Sequence, residues 1–320
     1  MNNNHFADDS FAVWVVPNKE NESFCDLDVH INHWIMPDKE TGVRAYLDFG
    51  IRAYLANNVR QICVYIPFDV NESNYTDLSM LLQNKDTACG IFNTPCSINY
   101  EDETGLIELI YDNHESNVIK LDKQINPIYN GCIILFDVSS VVSKLTKKEI
   151  YIRFRIRNDT LEKLLKEEIR YLQSFTSVLS NPIIKENYSY TVRINEIRCL
   201  PDEIRRNIQR QRIRQIVHVV CRNGELTIDC SRCYKVRLLE KNLFDKYIPS
   251  GFQSDNCLTY QWLQENSNGK NYNFTTTFHK EYINKKSMLT YAFFVVLLSA
   301  FGGLIVEGIK LLLKPYGIFK

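Results

Sequence analysis

From Ser287 to Val306 the chain runs through 20 consecutive uncharged residues, Ser-Met-Leu-Thr-Tyr-Ala-Phe-Phe-Val-Val-Leu-Leu-Ser-Ala-Phe-Gly-Gly-Leu-Ile-Val. As a helix, such a run reaches about 30 Å, the thickness of a bilayer's hydrocarbon core. Lipid offers no partners to backbone N–H and C=O groups, so a segment placed there must bond to itself, as a helix does. Lys285 and Lys286 precede the run, and Lys310 and Lys314 follow it with stems long enough to carry their charges to the interface. Core helices of soluble domains seldom go this far without a strongly polar residue. The sequence therefore predicts a transmembrane helix over 287–313 and a short tail over 314–320.

One side of this helix is patterned. Ala292, Val296, Ser299, Gly303, Glu307 and Lys310 recur at spacings of three and four, hence on one face. Ser299 and Gly303 form a small-x-x-x-small pair, which lets two helix backbones come close. Glu307 lies one turn further on the same face with Lys310 as an i,i+3 partner. The expectation is a helix interface made of Ser299, Gly303, Glu307 and Lys310, joining copies of the chain into a homo-oligomer in the membrane. The alternative is that Glu307 simply marks where the helix leaves the bilayer.

Lysines are balanced across the run, so the distribution of positive charge does not choose an orientation. The opening Met-Asn-Asn-Asn-His-Phe-Ala-Asp-Asp has neither the basic nor the apolar stretch of a secretory signal. Ten cysteines sit mostly in apolar runs such as Gln61-Ile62-Cys63-Val64-Tyr65, where a free thiol behaves as a small buried hydrophobe. Reduced thiols and no signal place the body in the cytoplasm, with a single pass through the membrane.

That body is folded and rich in strands. Hydrophobic residues make up 45% of the chain and aromatics 12%, enough for a real core and unlike a disordered or collagenous sequence. Net charge is zero, but residues 1–120 hold 19 Asp/Glu against 7 Lys/Arg, so the remainder carries the opposite excess. Phe24–Ile35 alternates, with Leu27, Val29 and Ile31 on one face and Asp26, Asp28 and His30 on the other, the period of a half-buried antiparallel strand. Strands are also expected at 11–16, 61–68, 105–111, 117–121, 132–138 and 149–157, with a short helix near 75–83. Together they predict a β-sandwich-like N-terminal domain over 1–157.

The pattern then changes. Asp159-Thr160-Leu161-Glu162 resembles a capping box before an amphipathic run through Leu165 and Leu172. Pro201 opens an expected basic helix through Arg205, Arg206, Arg210, Arg212 and Arg214. Asn223-Gly224 is a two-residue turn signal, from which Ile216–Cys221 and Glu225–Cys230 are expected to form a hairpin with His218 opposite Asp229. Further strands near 234–239, 258–263 and 271–279 complete a second, mixed domain over 158–284. The fold class is α+β: a strand-rich, antiparallel body with one C-terminal transmembrane helix.

Motifs that carry chemistry are sparse. Cys230-Ser-Arg-Cys233 has the spacing of one zinc knuckle, but a structural site wants two, and core thiols account for it without metal. Asp26, Asp28 and His30 share a strand face that His33 does not, so an acid–base or metal site needs ligands from elsewhere; a solvated strand face explains them as well. The arginines at 205, 206, 210, 212 and 214 are candidates for an anion or lipid headgroup contact. Interleaved Asp202, Glu203, Glu225 and Asp229 argue against nucleic acid. The body's glycines never fall as Gly-x-Gly, which excludes a dinucleotide loop, and a P-loop, a nucleophile elbow and a His-Glu-x-x-His pair are also missing. No cofactor is implied, and the balance leans away from an enzyme.

The sequence thus predicts a membrane-anchored cytoplasmic sensor that couples a partner protein or small ligand to an oligomerising helix. Membrane effectors of bacterial stress and antiviral, anti-phage defence share this bipartite layout, an analogy of architecture only. A membrane-tethered enzyme, with or without a metal, using His30, Asp28 or the Cys230/Cys233 pair, and a passive scaffold, are the alternatives.

Overall fold

In the computed structural model the described residues are 10–19, 25–38, 42–128, 131–157, 165–168, 183–223, 226–228, 233–240, 243–244, 246–250, 252, 257–265, 271–283, 285–313 and 315. The alternating run expected around Val29 is strand β2 (Leu27–Asp38), and it pairs antiparallel with β3 (Gly42–Ala53) from Leu27↔Ala53 to Asp38↔Gly42. These two strands lie at the centre of a ten-stranded sheet. Its order is β16 (Lys235–Leu238), β17 (Cys257–Glu265), β14 (Ile213–Asn223), β2, β3, β11 (Glu149–Arg157), β8 (His114–Val118), β7 (Leu106–Tyr111) and β6 (Ser97–Glu101). The tenth strand, β5 (Tyr75–Asp77), adds to β11. Most neighbours are antiparallel, while β14 with β2 and β11 with β8 run parallel.

A second sheet joins β1 (Ala12–Pro17), β4 (Val59–Ile66), β10 (Gly131–Asp137) and β9 (Asp122–Ile128) in that order, all antiparallel. Phe136 of β10 meets Phe154 of β11 with ring centroids 5.2 Å apart, and Phe154 stacks on Phe49 of β3 at 5.5 Å. The two sheets therefore share an apolar layer, as a sandwich does. The other face of the smaller sheet is also apolar, with Ala12, Trp14, Cys63 and Tyr65. Helix α2 (Asp202–Ile208) covers it through Ile204 and Ile208, each buried. Burial of this kind contributes about 1.5–3 kcal/mol per large side chain. A third sheet orders β12 (Leu165–Glu168), β13 (Ile184–Ile194), β18 (Tyr272–Tyr282) and β15 (Leu226–Ile228).

Helix α1 (Lys85–Phe92) starts where the Asn84 side chain accepts from the Thr87 N–H at 3.0 Å, and ends on Asn93 in the left-handed region. Helix α3 (Lys285–Leu313) is 29 residues long and is the one helix among the described residues with the length and apolarity to cross a membrane. By contacts, the chain forms two compact units, Met1–Lys166 with Ser189–Thr277, and Glu167–Tyr188 with Phe278–Lys320. Strands from both sides of residue 157 share the ten-stranded sheet.

Four local expectations change. The run near 75–83 is not one helix: Tyr75–Asp77 pairs with β11 as a strand, and only Ser79–Gln83 turns, as 3-10 helix. The basic helix stops at Ile208, because the buried Gln211 side chain accepts from the Val15 N–H at 3.0 Å and donates to the Cys25 carbonyl at 2.9 Å. The β-branched run from Ile213 onward then enters the sheet. Within the expected amphipathic helix, Leu165–Glu168 is a strand beside β13, whose ladder overrides local helix propensity; the capping box lies outside the described residues. The hairpin across Asn223-Gly224 does not form its ladder: both edges of β14 are taken by β2 and β17, and β15 pairs with β18. Asp229 lies outside the described residues.

Candidate functional site

Direct partners across a ladder share a face, so register alone sets polar residues of β2, β3 and β11 in rows. Asp28, Arg52 and Tyr151 form one row, His30, Gly50 and Arg153 the next, and Asn32, Asp48 and Arg155 a third. All of the polar members are buried. The face expected to be solvated is thus covered, and its charges are matched across strands. The opposite face, with Val29, Ile31, Phe49, Ile51, Ile152 and Phe154, belongs to the sandwich core.

At the closed end Asp48 is the hub. Arg155 donates to it from Nε at 2.6 Å and Nη2 at 2.9 Å, Trp34 from Nε1 at 2.8 Å, and Tyr247 from its hydroxyl at 2.6 Å. Burial opposes charge on Asp48, but the adjoining Arg155 and its hydrogen bonds prevail and hold the carboxyl below its usual range. Arg153 donates to the Tyr247 and Tyr151 hydroxyls at 2.6 and 2.7 Å. Gly50 lies beneath them, and a Cβ there would collide with the Tyr151 hydroxyl.

The other end of the array opens. Asp28 Oδ2 accepts from Arg52 Nη1 at 2.9 Å and from the Tyr54 hydroxyl at 2.5 Å, while Oδ1 has no partner. Burial and the Asp28 contact push the Tyr54 hydroxyl up to about 12. Glu149 accepts from Ser116 at 3.0 Å and lies 3.4 Å from His114 Nδ1 and 3.5 Å from Arg52 Nε. Burial works against its charge, yet His114 and Arg52 keep it below the ordinary carboxylate range.

Beyond Asp28 the same row continues onto β14 and β17 as Gln215 and Glu265. The cover stops there, leaving a cleft of about 600 Å³ lined by Asp28, Tyr54, His114, Arg212, Arg214, Gln215 and Glu265. The pairing of β14 with β2 shifts between Ile213 and Gln215, so Arg214 is the extra residue of a β-bulge. Bulges re-aim side chains, and here the Arg214 guanidinium lies 4.4 Å from the Tyr54 ring centroid. Arg214 has no ion-pair partner among the described residues, and Arg212 has only Asp26 at 3.9 Å.

Of the five arginines singled out by sequence, the structure brings Arg212 and Arg214 together in this cleft. Arg205 is tied to Asp202 at 2.9 Å and to the Leu200 carbonyl at 2.7 Å, and Arg206 and Arg210 are exposed. Cys233 is a half-buried free thiol; Cys230 lies outside the described residues. Among the described residues no group of three or more His, Cys, Asp or Glu is placed to hold a metal ion. Tyr54, His114, Gln215 and Glu265 were missed by sequence reasoning. The signal available was the complementary alternation of Asp28, Asp48, Arg52, Arg153 and Arg155, whose opposite charges can pair side by side on one sheet face.

His33 turns to the opposite face, as the alternation implies, and is fully buried. Its Nδ1 is 2.6 Å from the Tyr190 hydroxyl, which is 3.1 Å from His218 Nε2; His218 Nδ1 is 3.0 Å from the Tyr272 hydroxyl. Desolvation lowers both imidazoles to about 3, so they are neutral at physiological pH. With one proton per ring, the chain of bonds is self-consistent in either direction, from His33 Nδ1–H through Tyr190 and His218 to Tyr272 or from the Tyr272 hydroxyl back to His33.

On α3, Ser299, Gly303, Glu307 and Lys310 are all uncovered or nearly so, and Lys310 Nζ lies 2.8 Å from Glu307 Oε1. A Cβ added at Gly302, Gly303 or Gly308 meets nothing within 4 Å.

No protein-family model matches the chain, and no curated protein matches it. Among solved structures it is similar to the mu homology domain of Fcho1 from Danio rerio with bound Eps15 peptide. Identity is 11%, over 87% of this chain and 82% of that one, with a TM-score of 0.17, which carries no argument about fold or function.

Proposed function

We propose that the chain is a single-pass membrane protein whose cytoplasmic body binds a partner or small ligand and couples that event to self-association of α3. The observation that carries the proposal is α3 itself. Its 29 residues bury no side chain, and three glycines on it face open space within the chain. Apolar surface of that extent calls for a lipid environment, and glycines without a neighbour suit the close approach of a second helix. The thiols of the nine described cysteines are free, which fits a reducing compartment for the body.

In an assembly through Ser299, Gly303 and Glu307, the carboxylate faces other copies rather than lipid and keeps Lys310 beside it. A ring of such pairs can hold water, so the assembled helices perturb the bilayer. On this reading the protein acts as a membrane effector of the stress and anti-phage kind rather than as a passive tether.

The test is dye leakage and chemical crosslinking in cells expressing the full chain, a truncation at Lys286, Gly303→Leu and Glu307→Ala. The full chain should fractionate with membrane, crosslink into oligomers and permeabilise the membrane. Gly303→Leu should abolish the crosslinked ladder, and Glu307→Ala should retain it while losing leakage. A full chain that fractionates with membrane but neither crosslinks nor leaks reduces α3 to a tether.

A further inference from the structure

We infer that the cleft beside Asp28 binds a small soluble zwitterion, with its ammonium group on Asp28 and its carboxylate or phosphate on Arg212 and Arg214. This deepens the sensing half of the function proposed above by naming the chemistry of the ligand. Three observations meet at the cleft.

The first is an acceptor without a partner. Asp28 is 2% exposed and lines the cleft, and its Oδ1 receives no hydrogen bond although Oδ2 receives two. A carboxylate oxygen held out of water without a donor is costly, and a donor arriving from the cleft removes that cost. An ammonium does so with a charge-assisted bond.

The second is the bulge. A regular ladder from Ile213 would leave no additional residue at this position. The extra one is an arginine, laid over the Tyr54 ring and without an ion-pair partner among the described residues. Arg212 stands two residues away with one distant carboxylate. Two guanidiniums with spare donors make an anion receptor, and their planar forks suit carboxylate and phosphate alike.

The third is charge balance. Glu265 and Asp28, the latter already holding Arg52 through Oδ2 at 2.9 Å, oppose Arg212 and Arg214 on the lining, and Gln215 lies between the two carboxylates in the ladder. A simple anion would meet two carboxylates, and a simple cation two guanidiniums. A molecule that is neutral overall, with its charges apart, satisfies both sets. The volume of about 600 Å³ falls in the range of small-molecule sites.

The experiment is calorimetric titration of the full chain in detergent micelles with each of the twenty standard amino acids and with O-phosphoethanolamine. Ethylamine and inorganic phosphate serve as half-ligands. At least one zwitterion should bind, and each half-ligand should bind about tenfold more weakly or less. Arg214→Ala removes a solvent-exposed side chain and should weaken that zwitterion by about tenfold with unfolding unchanged. Asp28→Asn should weaken the zwitterion similarly while leaving the affinity for phosphate alone intact. Overturning results are no heat from any zwitterion, phosphate binding as tightly as the best zwitterion, or an Arg214→Ala titration identical to the parent's. Crosslinking of α3 in the same samples reads self-association separately, so failure at the cleft and failure of the helix are told apart.

Discussion

Asp48 shows how one residue can hold a sheet's interior to a single arrangement. It takes four hydrogen bonds from Arg155, Trp34 and Tyr247, three side chains that donate to no other carboxylate among the described residues. Such a buried pair adds little over a well-packed apolar substitute, but breaking it leaves a charge stranded. Asp48→Ala should therefore cost about 3–5 kcal/mol, read as a fall in the urea midpoint of the detergent-solubilised chain. Joint replacement, Asp48→Leu with Arg155→Met, should recover much of that loss. A double variant no better than Asp48→Ala would mean that the Trp34 and Tyr247 bonds, not the stranded guanidinium, dominate.

Elements were legible in the sequence where one physical cause decides them. Apolar length alone makes α3, and strict alternation alone makes β2, because only one face of a strand can be buried in the sandwich layer. What stayed hidden was non-local. Nothing in Ile213–Asn223 says that β2, distant in sequence, will take one of its edges, and that parallel pairing displaced the hairpin that Asn223-Gly224 suggested. The cleft was half legible for the same reason: Asp28, Arg212 and Arg214 drew notice singly, but the bulge that gathers them is a property of two strands. Strand β16 adds an expectation of its own. It lies at one end of the ten-stranded sheet with Tyr234 67%, Val236 47% and Leu238 64% exposed, an apolar edge that invites pairing with other chains. Leu238→Lys should leave stability within about 0.5 kcal/mol and lower light scattering of the concentrated protein. A large loss of stability would mean that this edge is covered in the native protein.

Across the whole molecule, buried polar chemistry makes stability depend on pH in a direction the structure specifies. His33 and His218 are neutral in the fold, with burial driving both down to about 3, although nearby Asp48 pulls His33 the other way. An unfolded histidine takes up its proton near pH 6.5. Between that value and about 3 the unfolded chain binds more protons than the native one, so stability is complete above pH 6.5 and falls as the pH drops. Each histidine contributes a slope of up to about 1.4 kcal/mol per pH unit. Asp48 acts lower down. Its folded carboxyl is depressed, so its contribution persists down to the ordinary carboxylate value near 3.9 and disappears only below it. Urea midpoints of the solubilised chain from pH 7.5 to 4.5 should therefore decline steadily below 6.5, above the range in which Asp48 acts. Replacing both histidines by glutamine should make that decline shallower without abolishing it, because burial also holds the His30 imidazole well below its ordinary value. A parent profile that stays level to pH 4.5 would mean that His33 and His218, and His30 with them, all reach water and charge without opening the fold, and that the chain of Tyr190 and Tyr272 hydroxyls is a path for protons rather than a seal.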